Sequence, residues 1–311
     1  MSFKRLDPQD FITSADSIVS PAWSGNTGSL STFYTSSIQT SSSSGKYYLD
    51  IYNKNTADQE VQFSISYANK NGGGALKYNT NISASATSTI YGQMRNLLLE
   101  DENTDFNFNG TIVTDFYIIN INRARYKEKL MPGTWILTIG GTIYTDNSKN
   151  ITIPEYKGSQ RVYNIGIAGS GLPGNAPKDT SSSGLFFPDT GIILLTSSLA
   201  APTTTYTAAN NERKLWPLIN NFTLQSEETI TSNYIFVRAR NSEFNYSENP
   251  SYISGSTGEV LYNSFIYNPQ TYITSVGFYN DSNELLAVAK LSKPLLKDST
   301  KEVLLRTRLD F

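Results

Sequence analysis

Alternating apolar and polar residues predict several β-strands with one buried face. Residues 60–67 give the clearest case, because every second side chain is apolar: Val61, Phe63, Ile65 and Tyr67. Successive side chains of a strand point to opposite faces of its sheet, so a period of two places these four on one face. Similar patterns predict further strands over residues 46–53, 115–121 and 134–140.

The C-terminal region predicts a hairpin followed by a final strand. Residues 272–279 and 284–291 are strand-forming runs, and the polar segment 280–283 between them has the composition of a turn. Residues 302–311 form the last predicted strand. Its alternation places Val303, Leu305, Leu309 and Phe311 on one face, and Glu302, Arg306, Arg308 and Asp310 on the other.

Between these regions the chain changes character. Residues 166–190 are rich in Gly, Pro and Ser, and polar residues continue beyond Pro202. We therefore expect four regions, and we leave open whether the last packs with the first β domain. They are an N-terminal arm (1–44), a first β domain (45–165), a long loop or linker (166–225) and a C-terminal β region (226–311). The best helix candidate in the first half is short and covers residues 94–100.

Composition favours an all-β fold. The 311 residues are 38% hydrophobic, 12% aromatic and only 17% charged. This is too apolar and aromatic for a disordered chain, and too weakly charged for a helical bundle rich in Glu, Lys and Arg. We expect an all-β protein with antiparallel β-sandwich-like domains, a long central loop and few short helices.

Charge and hydropathy argue against two classes of partner. A formal net charge of −2 provides no global positive field, so no nucleic-acid partner is expected. No apolar run reaches the roughly 18–20 residues that a membrane span needs. The first residues also lack the apolar core and cleavage site of a signal peptide. We expect neither a membrane span nor a signal peptide.

The absence of His and Cys removes most catalytic and metal chemistry. It excludes a Ser-His-Asp triad, a thiol nucleophile, a disulfide and the commonest zinc ligands. Residues 101–105, with Asn107 and Asn109, offer oxygen ligands for Ca²⁺ but lack the glycine and final Glu of a helix-loop-helix calcium loop, so a solvated turn is favoured. The glycines at 166, 169 and 171 lack the Lys-Ser/Thr of a phosphate loop. We expect no enzyme activity, no cofactor and no metal.

Seven residues are candidates for contacts with partner proteins. An Arg-Ala-Arg motif follows an apolar stretch twice, and alternation would place both arginines of each motif on one strand face. A solvated strand end is the ordinary interpretation; an inter-subunit contact is the sharper one, since Arg is enriched at interfaces. Residues 1–25 carry aromatic side chains without strand periodicity, which is typical of an arm that orders on a partner. The candidates are Phe3, Phe11, Trp23, Arg123, Arg125, Arg238 and Arg240.

Four segments of the chain carry a family resemblance. They are residues 3–11 (FKRLDPQDF), 237–250 (VRARNSEFNYSENP), 276–294 (VGFYNDSNELLAVAKLSKP) and 306–311 (RTRLDF). Together they resemble virion structural proteins of contractile-tailed marine phages, especially those infecting cyanobacteria. The segment 276–294 is also similar to a hairpin in phage tail-fibre attachment and baseplate proteins, where it belongs to domains that plug into neighbouring subunits. No catalytic residues come with this resemblance.

The resemblance implies a structural component of a tailed-phage virion, assembled in the host cytoplasm. We expect a tail baseplate or fibre-attachment protein that acts by subunit assembly, with other virion proteins and copies of itself as partners. One alternative is a receptor- or carbohydrate-binding tail-tip protein that contacts host surface glycans. Another is a neck or capsid-decorating protein. A polysaccharide depolymerase ranks last, because sequence spacing places no pair of carboxylates across a glycosidase cleft.

Overall fold

The computed structural model describes residues 3–35, 48–72, 86–151, 153–169, 183–200 and 211–310. Antiparallel strands dominate these residues, and helices are few and short, which confirms the all-β prediction. The chain divides into two compact units. We call Ser17–Glu228 the sheet unit, and we call Met1–Asp16 together with Thr229–Phe311 the ribbon unit.

The strands, numbered in chain order, have the following bounds: β1 Phe11–Pro21, β2 Ser29–Leu30, β3 Tyr34–Thr35, β4 Tyr48–Tyr52, β5 Val61–Asn69, β6 Phe106–Phe108, β7 Thr111–Val113, β8 Asp115–Ile121, β9 Lys129–Leu130, β10 Ile136–Ile139, β11 Thr142–Asp146, β12 Glu155–Lys157, β13 Gln160–Ile167, β14 Gly184–Phe187, β15 Ile192–Thr196, β16 Ile219–Thr223, β17 Gln225–Ala239, β18 Gln270–Tyr279, β19 Leu285–Asp298 and β20 Val303–Asp310. The two α-helices of the described residues are α1 (Thr87–Leu99) and α2 (Asn263–Tyr267).

A curled sheet makes up most of the sheet unit. Its strands follow the order β2-β16-β10-β11-β13-β14-β15-β8-β5-β4-β3, and β12 pairs with β13. The pairs are antiparallel. Strand β8, inside this sheet, pairs with β5 on one side and with β15 on the other. Strands are therefore confirmed at the predicted positions 60–67 and 115–121, and the structure shows that the two are neighbours.

The central strands are buried on both faces. On β8, Tyr117 and Ile119 enter one hydrophobic core, whereas Phe116 and Ile118 enter a second core. Alternate side chains point to opposite faces, so the two cores lie on the two sides of the sheet. Helix α1 contributes to the second core, and it includes residues 94–99 of the helix predicted at 94–100. Its buried apolar residues are Ile90, Tyr91, Leu98 and Leu99.

The expected loop over 166–225 is interrupted by β14, β15 and β16, of which β14 and β15 are the most buried. All four residues of β14 are buried, and so are four of the five in β15. Gly191, with φ +70°, lies in the turn between them. A strand covered on both faces reads as a continuous apolar run instead of an alternation, and the Gly- and Ser-rich flanks hid these two runs. Residues 170–182 and 201–210 of the expected loop lie outside the described residues.

The ribbon unit contains two small antiparallel assemblies. In the first, β17 pairs with β20 from Ser232↔Asp310 to Ala239↔Val303. In the second, β18 pairs with β19 and forms the predicted hairpin. The final strand has the predicted faces, because Val303 is buried and Leu305 and Leu309 are half-buried, while Arg306 and Arg308 are exposed. Phe311 lies outside the described residues.

The expected N-terminal arm is partly a strand. β1 lies beside β17 in the sheet order β1-β17-β20, although its side chains are mostly exposed and do not alternate. Main-chain pairing holds a strand whatever its side-chain period, so the lack of alternation was a poor guide here. Within the ribbon unit, Thr13 Oγ1 donates a hydrogen bond to Asn233 Oδ1 at 2.9 Å. The two units divide within β1, after Asp16, and within β17, after Glu228.

Truncating a side chain of the two-faced strands should destabilise the protein strongly. Ile193 of β15 is fully buried, whereas Ile153 of the same unit is 79% exposed. We expect Ile193→Ala to lower the free energy of unfolding by about 2–5 kcal/mol, because it removes buried methylenes and leaves a cavity. Ile153→Ala should change it by less than about 0.5 kcal/mol. Urea unfolding of both variants checks this; equal effects would show that β15 is not part of the core.

Candidate assembly surface

The β18–β19 hairpin is a two-stranded ribbon closed by a tight turn. Asn280 N donates to Glu284 O at 3.0 Å, and Glu284 N donates to Asn280 Oδ1 at 2.8 Å. Asn283 adopts the left-handed conformation with φ 61°, which Asn tolerates better than most residues. This side-chain–backbone network explains why a polar Asn-Asp-Ser-Asn segment reverses the chain here.

Neither face of the ribbon is fully covered near its tip. Val276, Phe278, Ala287 and Ala289 are half-buried on one face. On the other face, Leu286 is 68% exposed and Val288 is 60% exposed. Isolated two-stranded hairpins are marginal in water, and an exposed strand pair with apolar side chains is a usual site of association. We call the ribbon face formed by Leu286 and Val288 the apolar face.

A groove runs between the ribbon and β20. It has a volume of about 460 Å³ and is lined by Val276 of β18, residues 289–293 of β19 and residues 305–308 of β20. Four cationic side chains belong to this lining: Lys290, Lys293, Arg306 and Arg308. No Asp or Glu belongs to it. We call this feature the basic groove.

The two β20 arginines of the basic groove are held near Tyr234. The guanidinium of Arg306 lies 5.4 Å from the Tyr234 ring centre, and that of Arg308 lies 5.8 Å away. Arg308 also donates to Asp310 at 2.6 Å. This hydrogen bond lowers the pKa of Asp310 and raises the pKa of Arg308. Both arginines therefore have a restricted orientation at the groove.

The prediction that both Arg-Ala-Arg motifs lie on a strand is wrong for the first motif. Arg123–Arg125 is a short 3₁₀ helix and not a strand end, because the Asn122 side chain accepts a hydrogen bond from Ala124 N at 3.0 Å and turns the chain. Arg123 lies over the Tyr126 ring at 4.5 Å, and Arg125 donates to Glu60 at 2.9 Å. Arg123 thus stays within its own turn, whereas Arg125 links this turn to Glu60, just before β5.

The second motif lies at the end of β17, in the ribbon unit. Arg238 makes a two-pronged contact with Glu302, with Nε and Nη2 donating at 2.7 and 2.9 Å. This contact raises the pKa of Arg238 and lowers the pKa of Glu302. Arg240 follows the strand, and its backbone N donates to Glu243 Oε2 at 2.8 Å. Arg238 and Arg240 are exposed, so they remain candidates for a contact with another protein.

The three aromatic candidates have different environments. Phe3 is 56% exposed, and its ring contacts Tyr279 edge-on at 5.1 Å, at the tip end of β18. Phe11 is exposed on β1. Trp23 is only 2% exposed, so its assignment to a partner-binding arm is wrong for this fold. Its ring packs against Phe63 and Phe222, and its Nε1 donates to Phe222 O at 2.7 Å.

An aromatic cluster is formed by residues of the chain segment that connects β17 to β18. The rings of Tyr252 and Phe265 stack at 4.7 Å, and Tyr246 and Tyr262 contact this pair edge-on at 5.7 Å each. Tyr246 and Tyr262 are more than half exposed. Sequence reasoning missed this cluster because its members are up to nineteen positions apart in an irregular segment with no strand or helix period. We call these four residues the aromatic cluster.

A buried lysine fixes the segment that leads into the aromatic cluster. Lys297 is fully buried. Its Nζ donates to Asn245 Oδ1 at 2.7 Å, to Asp298 O at 2.9 Å and to Asn241 O at 3.1 Å. Buried ammonium groups are costly unless their donors are satisfied, and three oxygens satisfy this one. Lys297 therefore ties β19 to the start of the segment that carries Tyr246.

The candidate metal segment is held by local hydrogen bonds and an ion pair. Asp101 accepts hydrogen bonds from Asn103 N, at 2.8 Å, and from the Thr104 hydroxyl, which makes a local turn. Asp105 pairs with Lys70 at 2.7 Å. No group of three or more Asp or Glu residues that could hold a metal ion occurs in the described ranges, and no helix there is long and apolar enough to cross a membrane. Most of the glycine-rich segment lies outside those ranges.

Replacing the buried lysine should loosen the aromatic cluster. Lys297→Met retains the apolar stem but leaves the oxygens of Asn241, Asn245 and Asp298 without this donor. We expect a loss of roughly 1–3 kcal/mol in the free energy of unfolding and faster amide hydrogen exchange in residues 241–246. Lys293→Met, at an exposed position of the same strand, is the control. Equal exchange rates in the two variants would contradict the role given to Lys297.

Comparison of the chain with protein-family models, with curated proteins and with solved structures found no match. The assignment of a role therefore rests on the geometry of the apolar face, the basic groove and the aromatic cluster.

Proposed function

We propose that this chain is a structural component of a tailed-phage virion, at the tail baseplate or the fibre-attachment region, and that it acts by assembling with other virion proteins and with copies of itself. The observation that carries the proposal is the apolar face of the ribbon. Leu286 and Val288 stand on a two-stranded element that exposes apolar side chains to solvent. Such a surface gains free energy by being covered by another protein.

The position of the family resemblance supports the same proposal. Residues 3–11, 237–250, 276–294 and 306–311 all fall within the ribbon unit. The resemblance is thus concentrated in the unit that carries the apolar face and the basic groove. The sheet unit, with both faces of its central strands buried, acts in this proposal as the stable body on which the assembly elements are presented.

The side-chain contacts around the basic groove and the aromatic cluster also support binding of a partner protein. Most of the described ion pairs and hydrogen bonds of Arg238, Arg308 and Lys297 hold strands and loops in place. In the proposal these contacts pre-organise the surface, which lowers the entropy lost when a partner binds. Assembly by several weak contacts at once also fits a particle with many copies of each subunit, since linked contacts reinforce each other.

Removing the apolar face should reduce incorporation into particles without unfolding the protein. We propose the double variant Leu286→Thr and Val288→Thr, because Thr keeps the strand preference while losing apolar area. Incorporation is measured by mass spectrometry of gradient-purified particles from a host that supplies the variant. We expect about a tenfold or greater loss, the size expected from a lost apolar contact of one to two kcal/mol, with an unchanged melting temperature.

The matched control places the same change on the sheet unit. Ile112→Thr and Ile153→Thr remove two apolar side chains that are 66% and 79% exposed. This control should enter particles as well as the unaltered chain does. If the ribbon variant also enters normally, the apolar face is not an assembly surface; if the unaltered chain is absent from particles, the virion role is refuted.

A second candidate function, binding of host surface glycans, is favoured by the aromatic cluster. Exposed tyrosine rings can stack on sugar rings, and their hydroxyls can hydrogen-bond to the sugar edges. In this alternative Tyr246 and Tyr262 form the outer walls around the stacked pair Tyr252 and Phe265.

Glycan-array binding by the full chain tests the second candidate. The glycan hypothesis expects binding that falls at least about tenfold in Tyr262→Ala. Tyr156→Ala removes an equally exposed tyrosine of the sheet unit and should leave binding unchanged. Absence of binding to host envelope glycans, or equal loss in both variants, would count against this function.

A further inference from the structure

We infer that the basic groove binds an extended acidic peptide of a neighbouring protein, which adds as a strand along the free edges of β19 and β20. This inference rests on the proposed function as an assembly protein, and it specifies the chemistry of one partner. Three observations carry it: the run of residues along the groove, the pairing of its strands and the charges of its lining.

The groove is lined by β20, by β19 and by one residue of β18, Val276. Its lining includes the consecutive residues 289–293 on β19 and 305–308 on β20. A sheet face would contribute every second residue, because successive side chains point to opposite sides. On β20, which pairs regularly with β17, consecutive lining residues therefore indicate that the main-chain edge borders the groove. On β19, residues 291–294 are an insertion without partners on β18, since Lys290 pairs with Ser275 and Leu295 with Ile273.

Those main-chain edges have no strand partner in the described ranges. β19 pairs only with β18, and β20 pairs only with β17. Each strand has a second edge with N–H and C=O groups directed away from its partner, and such an edge can accept an added strand. At about 3.3 Å per residue, the four residues 305–308 of β20 give an edge roughly 13 Å long, which matches a peptide of about four residues.

The lining charges select an acidic occupant. Among the described residues, Lys290, Lys293 and Arg306 form no ion pair with an Asp or Glu, while Arg308 pairs with Asp310. The chain as a whole has a net charge of −2, so this positive concentration is local. Arg306 and Arg308 are two residues apart on β20, so carboxylates at alternate positions of an added strand would have the matching spacing of roughly 7 Å.

The same charges argue against a second copy or a nucleic acid as the occupant. Two β19 edges brought together would place Lys290 and Lys293 of both copies near each other, and lysines on edge strands are a known device against self-pairing. Single-stranded nucleic acid usually needs aromatic side chains for base stacking. The groove lining contains none. An acidic peptide uses both the free edges and the cations.

The experiment measures binding of a dye-labelled peptide, Thr-Glu-Val-Glu-Val-Glu-Thr, to the full chain by fluorescence anisotropy. We expect saturable binding that weakens as NaCl is raised, and at least about tenfold weaker binding of the Gln-for-Glu peptide. Two further peptides are N-methylated on alternate amides, one on the even-numbered and one on the odd-numbered residues. Each retains the charges but loses the hydrogen-bond donors along one of its two edges. At least one of these two peptides should lose binding.

Two variants of the protein locate the site. Lys290→Gln with Arg306→Gln should weaken binding of the acidic peptide by about tenfold or more. Lys54→Gln with Lys127→Gln removes the same charge from exposed positions of the sheet unit and should leave binding unchanged. Circular dichroism checks that both variants fold. Equal binding of the Glu and Gln peptides, insensitivity to the groove variant, or tighter binding of a single-stranded oligonucleotide of equal charge overturns the inference.

Particle incorporation separates this inference from the proposed function. A groove variant that no longer binds the acidic peptide but enters particles normally overturns the groove's assembly role and leaves the virion role intact. Specific peptide binding by a chain that never enters particles supports the groove and refutes the virion role. Loss of both peptide binding and incorporation in the groove variant supports the two together.

Discussion

Burial of both faces of β8, β14 and β15 is the constraint on which the sheet unit depends. These strands place alternate side chains in two separate hydrophobic cores, so neither face can be left to solvent. Helix α1 contributes to one core, and Trp23, Phe63 and Phe222 contribute to the other. Because each core depends on the same central strands, a change in one strand affects packing on both sides of the sheet.

The ribbon unit buries its apolar side chains only in part. Its β17–β20 pair has a buried face with Ile235 and Val303, yet β18 and β19 leave the apolar face and two strand edges in solvent. A protein that works alone usually avoids such edges or covers them. The proposed assembly role gives these features a physical purpose, since a neighbouring protein would cover the apolar side chains and complete the hydrogen bonds of the edges. The cations of the basic groove would then restrict which neighbour can do so.

Local patterns predicted the parts of the fold that depend on local contacts. The hairpin turn rests on Asn280 and Glu284, which are four positions apart, so its composition identified it. The alternation in β5 and β20 was also visible in the sequence, because in each strand one face is more buried than the other. β14 and β15 were hidden because two-sided burial removes the alternation. Trp23 was misassigned for a related reason, since its partner Phe222 is distant in sequence.

The candidate sites depended still more on distant residues. The turn after β8 follows from the Asn122 side chain, a local cap that the Arg-Ala-Arg comparison ignored. The basic groove combines residues 290–293 with 306–308, and sequence alone does not show that these meet. Of the seven predicted contact residues, Phe3, Phe11, Arg238 and Arg240 lie at the surface of the ribbon unit and Arg123 is exposed on the sheet unit. Arg125 pairs with Glu60, and Trp23 is buried.

A cryo-EM map of the intact phage particle, with this chain traced in it, tests the central claim most directly. The account predicts density for the chain at the tail baseplate or the fibre junction, with a neighbouring subunit over Leu286 and Val288. A position on the capsid shell would contradict the tail assignment. Particles that contain no copy of the chain would contradict the virion role itself.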